Sequence, residues 1–204
     1  MATYNTVSFQ NKLNNFATNS KMVKEKMYIK AADKFEDARN EMLKEYEDTK
    51  VVQELRYGGL SNDSALISEG NLFAFLGFDK SDSPATDLKE FLKDNITMAK
   101  TPRITPQNNV IKFAYRVNIP SEQKIYSDPG LKATWSTKSW VDYVQNGLGN
   151  AAQFIFKSIG FASPPSRSGT GLQLKKGERK DAPTFTPMKF LNELLDDFKE
   201  KFKR

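Results

Sequence analysis

The stretch closest to a reactive or anion-binding motif is Ser163-Pro164-Pro165-Ser166-Arg167-Ser168-Gly169-Thr170-Gly171-Leu172-Gln173. Its glycines could free successive backbone amides to cradle an anion, with Arg167 adding charge. A nucleotide loop would also need a Gly-Lys-Ser/Thr ending and a strand directly before it, and both are missing. The stretch is too poor in apolar residues to fold alone, so it is read as a slack loop or as an arm that orders against a neighbouring subunit. In the second case Arg167 and Gln173 would make directional contacts to carbonyls or carboxylates of another chain.

Carboxylates offer little more. Asp196-Asp197 and Glu47-Asp48 fall on helical patterns beside lysines, which reads as solvated surface, because an acid/base pair needs a cleft and a second group to split its pKa values. Asp79-Lys80-Ser81-Asp82 could hold a cation, yet it lacks the spacing of a calcium loop and is better placed to cap the helix that follows. The chain has no histidine and no cysteine. That excludes disulfides, thiolate zinc sites and every triad whose base is histidine. No metal or cofactor is expected.

The 204 residues suit one domain with a real core, supplied by 38% hydrophobic and 12% aromatic residues. No apolar run approaches the roughly 20 residues that cross a bilayer, and Met1-Ala2-Thr3-Tyr4-Asn5-Thr6 has no signal-peptide blocks, so synthesis and use in a cytoplasm are expected. The net charge is +6, but the signs are mixed: ten basic residues face nine acidic ones in the first sixty. A nucleic-acid footprint is normally a patch or stripe, and no basic block stands out along the sequence.

The elements follow from periodicity. Residues 1–18 read as an N-terminal arm, and residues 19–204 as a single α+β domain with a long loop at 161–186. Tyr28, Ala31, Ala32, Phe35, Ala38, Met42 and Tyr46 recur at helical steps and predict a helix from about Asn19 to Thr49, capped by Asn19 or Ser20. Residues 51–57 predict either the tail of that helix or a strand. The glycine-bracketed aromatic run 70–78 predicts a buried strand, and Ser83-Pro84 opens a short helix ending near Asn95. Residues 101–106 are extended. Val110 to Ile119 alternates, with Ile111, Phe113, Tyr115, Val117 and Ile119 on one face.

Residues 121–132 read as a loop with a turn at Asp128-Pro129-Gly130. Ser139 caps a helix that Gly147 and Gly149 interrupt before it continues to about Ser158, and Phe190, Leu191, Leu194, Leu195, Phe198 and Phe202 predict a docking C-terminal helix. The architecture expected is a small, mainly antiparallel sheet packed by a long N-terminal helix and a C-terminal helix, with extended loops or arms. Trp135 and Trp140 are candidates either for interface anchors or for packing within their own domain.

Taken together, the long N-terminal helix, Asn71-Leu72-Phe73-Ala74-Phe75-Leu76-Gly77-Phe78, Ser139-Trp140 with Gly147-Leu148-Gly149, Ser166-Arg167-Ser168-Gly169 and Pro187-Met188-Lys189-Phe190-Leu191 resemble the tail-completion or neck proteins of long-tailed bacteriophages. The resemblance implies a non-enzymatic virion protein, made in the host cytoplasm. It would form a homo-oligomeric ring, expected to be a hexamer, that joins the capsid connector to the tail at the neck. Neighbouring connector and tail-tube, sheath or terminator proteins are the implied partners, with DNA passing through the lumen without specific binding. Arg167, Gln173, Trp135, Trp140 and Asp128 are the subunit-interface candidates. The competing expectation is a DNA-binding accessory protein of a phage.

Overall fold

A computed structural model describes residues 6–57, 72–79, 81–107, 110–132, 138–147 and 187–203. Helix α1, Thr6–Asn19, covers most of the segment read as an arm. Helix α2, Lys21–Asp48, follows after Ser20, whose Oγ accepts the Val23 N–H at 3.4 Å and so satisfies one of the amides left open at a helix start. Its 28 residues run about 42 Å at 1.5 Å per residue. Thr49 closes it and starts α3, Lys50–Tyr57: its Oγ1 donates to the Tyr46 carbonyl at 2.8 Å and accepts from the Val52 N–H at 3.4 Å. Residues 51–57 are therefore helix rather than strand, though in a separate helix and not as the tail of α2.

The run expected to be a strand is instead one helical turn, α4, Leu72–Phe75. Leu72, Phe73 and Leu76 are buried at helical spacing. Gly77 follows with φ +71°, and the Phe78 N–H donates to the Phe73 carbonyl at 3.3 Å. The Phe73 and Phe78 rings lie 5.4 Å apart. This is a Schellman stop, in which a left-handed glycine closes the turn and an apolar pair seals it.

Helix α5, Pro84–Asn95, begins as expected with proline in its first turn. It ends at Ile96, where Arg39 reaches the Lys93 and Ile96 carbonyls at 3.2 and 3.5 Å. A cation donating to terminal carbonyls complements the negative end of the helix dipole.

The strands are β1 (Thr97–Met98), β2 (Arg103–Gln107), β3 (Val110–Ala114) and β4 (Val117–Asn118). They form two antiparallel pairs, β1 with β4 and β2 with β3. Met98 opposes Val117 and Arg103 opposes Ala114, so residues 99–102 lie across from residues 115–116. The four-against-two mismatch interrupts what is otherwise one long hairpin. Pro102 has no N–H to continue the ladder. The alternation from 111 to 119 survives the break: odd positions are half-buried and even ones exposed.

Residues 121–132 are not a plain loop. Ser121 caps α6, Glu122–Ser127, through the Lys124 N–H at 3.3 Å, and a 3-10 turn spans Pro129–Leu131. Helix α7, Trp140–Asn146, is capped by Ser139 and stops at Gly147; the expected continuation to Ser158 and the loop at 161–186 lie outside the described residues. Helix α8, Phe190–Lys203, docks on α2. There Phe35 meets Phe198 and Phe202 at ring distances of 6.3 and 5.8 Å, and Lys201 bridges Glu45 and Glu41 at 2.8 and 3.1 Å.

The fold is thus α+β, mostly helical, with the core gathered under the second half of α2. Phe35, Met42, Leu43 and Tyr46 of that helix are buried, whereas no residue from Lys21 to Lys34 is. The first half of α2 packs instead on α1 and the hairpin, with the Tyr28 and Tyr115 rings 5.9 Å apart.

Candidate functional site

Among the described residues, no group of three or more His, Cys, Asp or Glu side chains could hold a metal ion. A cavity of about 150 Å³ is lined by Phe78, Asp82, Pro84, Asp87, Gly130, Lys132 and Trp140. Small-molecule sites typically run to roughly 300–1,000 Å³, so this one is below substrate size. One of its charged groups, Asp82, is also committed locally. Asp82 accepts the Asp79 N–H at 2.7 Å, closing the turn once considered for a cation. Asp87 sits in the first turn of α5, its carboxyl raised above the usual range by burial and by neighbouring Glu90 and Asp82.

The paired carboxylates have structural roles. Glu47 joins α2, α3 and α5 by accepting from Lys89 at 2.5 Å and Arg56 at 2.6 Å. Those hydrogen bonds, with Lys89 the stronger influence, hold its carboxyl below the usual range. Asp196 pairs with Lys199 one turn along at 2.6 Å. Neither arrangement presents two carboxylates across a cleft.

Of the five interface candidates, Trp140 and Asp128 are described; Trp135, Arg167 and Gln173 lie outside the described residues. Trp140 is 1% exposed and stands between Phe78 and Phe190 at ring distances of 6.2 and 6.4 Å. Its indole is thus part of its own chain's core, the second of the two roles considered for it. Asp128 is half-buried and caps the 3-10 turn, its Oδ1 accepting the Gly130 N–H at 2.9 Å.

Two surfaces that sequence reading did not single out are more informative. The first is apolar: Phe16 near the end of α1 and Met22 and Ile29 on α2 are 63%, 60% and 51% exposed. Met22 and Ile29 are seven positions apart and share one side of the helix. The second is basic. On the solvent side of the hairpin stand Arg103, Thr105, Val110, Lys112, Ala114 and Arg116, all exposed, while Ile104, Ile111, Phe113 and Tyr115 fill the half-buried side. Alternation could have located this face, but only the pairing register places Arg103 between Lys112 and Arg116.

Searches against family models, curated proteins and solved structures give no match to this chain.

Proposed function

We propose that this protein is a structural virion subunit that forms a ring at the neck or tail-completion position of a long-tailed bacteriophage, joining the capsid connector to the tail. One observation carries the reading. The half of α2 that leaves the core, with α1 beside it, carries large apolar side chains to the surface at Phe16, Met22 and Ile29. Exposed large apolar side chains gathered on one side of an element mark a contact site, and Met22 and Ile29 share one side of α2. A closed ring uses one patch against a different patch on the next copy, and a projecting helical edge suits that geometry. The sequence resemblance to neck proteins points the same way.

The test is the mass of the purified full chain by light scattering and native mass spectrometry, alone and mixed with candidate connector and tail proteins. A closed oligomer, or one that forms on mixing, is the expected result. The double substitution Met22→Glu, Ile29→Glu should hold the chain monomeric with an unchanged circular-dichroism spectrum and melting temperature. A wild-type chain that stays monomeric in every mixture overturns the proposal.

A further inference from the structure

We infer that the solvent face of the β2–β3 hairpin is a sequence-independent binding surface for the phosphate backbone of nucleic acid. Between Thr97 and Asn118 the chain carries four basic residues, Lys100, Arg103, Lys112 and Arg116, and no acidic one. These 22 positions hold two-thirds of the whole chain's net charge of +6. The excess charge is therefore gathered on the segment that folds into the hairpin, in the form a nucleic-acid footprint takes.

The geometry makes the concentration usable. Arg103 pairs with Ala114, so on the exposed face Lys112 is its diagonal neighbour at about 7–8 Å, and Arg116 follows on the same exposed side where the ladder breaks. None of the three has an acidic partner among the described residues. Cations held this close repel one another, and a polyanion relieves the repulsion. The rest of the exposed face is Thr105, a further donor, the small Ala114 and, at the turn end of the hairpin rather than its centre, Val110, 56% exposed. A protein partner would favour an aromatic or large apolar anchor at the centre of the face, whereas phosphate contacts need only Arg, Lys and hydroxyl donors. A two-stranded ribbon is also narrow enough to lie along a duplex groove. The inference does not depend on ring formation.

The experiment is fluorescence anisotropy of the full chain with a labelled 20-base-pair duplex of arbitrary sequence, titrated from 50 to 200 mM salt. Log affinity should fall linearly with log salt, by about 0.9 per phosphate contact; three contacts weaken binding about 40-fold over that range. The triple variant Arg103→Gln, Lys112→Gln, Arg116→Gln should lose that part of the slope. Each single variant should lower it by about 0.9, which keeps the test open should the triple variant misfold. Lys26, Lys30 and Lys34 are exposed on α2, with Lys26 and Lys30 two positions either side of the hairpin-facing Tyr28. Changing these three to Gln removes the same charge and should leave the slope intact. Three results overturn the inference: no binding at 50 mM salt, equal losses in the hairpin and α2 variants, or binding to anionic lipid vesicles or an acidic peptide without binding to DNA. Because a monomer can give the DNA result and a ring can fail it, this outcome is separate from that of the oligomer measurement.

Discussion

Gln145 caps α8 from 47 residues away: its Oε1 accepts the Asn192 N–H at 3.1 Å. The same side chain, 1% exposed, donates through Nε2 to the Tyr126 hydroxyl at 2.7 Å. One amide therefore ties α6, α7 and the start of α8, and beside it the Met188 N–H donates to the Val144 carbonyl at 2.9 Å. Replacing Gln145 with Leu removes both hydrogen bonds at once; because Tyr126 and Asn192 are only half-buried and Tyr126 keeps Asn146 as a partner at 3.4 Å, the cost should be roughly 1–3 kcal/mol in all. Gln145→Glu keeps an acceptor at the positive end of the helix and should be milder. Urea unfolding of the two variants gives the order; a Leu variant as stable as wild type would show that the cap contributes nothing.

Gly147 is held by two independent constraints. Its φ of +86° with ψ of 157° is backbone that side-chain-bearing residues avoid, and a Cβ added there would lie 3.1 Å from Pro187 Cγ. Gly147→Ala should therefore cost about 1–3 kcal/mol, read as a lowered urea midpoint. Gly130 has no such backbone constraint, and its added Cβ would meet only the Asp128 carboxylate, at 3.2 Å. The contrasting prediction is that Gly130→Ala stays within about 1 kcal/mol of wild type.

The elements with long periodic patterns were legible in the sequence. Phe35, Met42 and Tyr46 of α2 and Phe190 to Phe198 of the α8 stripe are buried as read, whereas Tyr28, Ala31, Ala32, Ala38 and Phe202 are only half-buried. The capping roles of Ser20 and Ser139 and the alternating face from Ile111 to Ile119 also stand as read. The aromatic run at 72–78 was not, because a short apolar segment with buried residues at every other position or at helical steps looks the same from composition. Its real signal was Gly77 with phenylalanines at positions 73 and 78, the spacing of a Schellman stop. The helix after Ser121 was hidden for a different reason: its six residues carry almost no period, and only Ser121 with Glu122 in the first turn announced it. Alternation marks Lys112 and Arg116 as one face, but local sequence does not bring Arg103 to it, which follows only from its pairing across the hairpin with Ala114.

Glu47 predicts the acid limb of stability. Its carboxyl is held below the usual range by Lys89 and Arg56, so the folded state keeps the charge to lower pH than the unfolded chain does. The stabilisation is present above the unfolded carboxylate value of about 4.3 and is lost as pH falls through the lower folded value. Glu47→Gln should melt below wild type at pH 7, and the difference should shrink as pH falls below the unfolded carboxylate value and vanish once the folded carboxyl is protonated. The gap should also narrow in high salt, because all three side chains are partly exposed. A gap that persists unchanged at pH 2 would assign the effect to packing rather than charge.

Tyr46 predicts the alkaline limb. The side chain is fully buried, and its hydroxyl donates to the Ala85 carbonyl at 2.8 Å, fastening α2 to the start of α5. Burial, the dominant influence, pushes its ionisation well above the ordinary phenol range. At pH 7 Tyr46→Phe should cost about 1–2 kcal/mol, because the Ala85 carbonyl loses its donor. Above about pH 10 the unfolded chain releases the Tyr46 proton while the folded chain keeps it, so unfolding is favoured increasingly as pH rises. One such proton changes stability by about 1.4 kcal/mol per pH unit, a change the Phe variant lacks. The two stability curves should therefore converge above pH 10 and cross roughly one unit higher, with the Phe variant the more stable beyond the crossing. Urea unfolding from pH 8 to 12 reads this directly, and parallel curves across that range would mean that Tyr46 ionises with equal ease in both states.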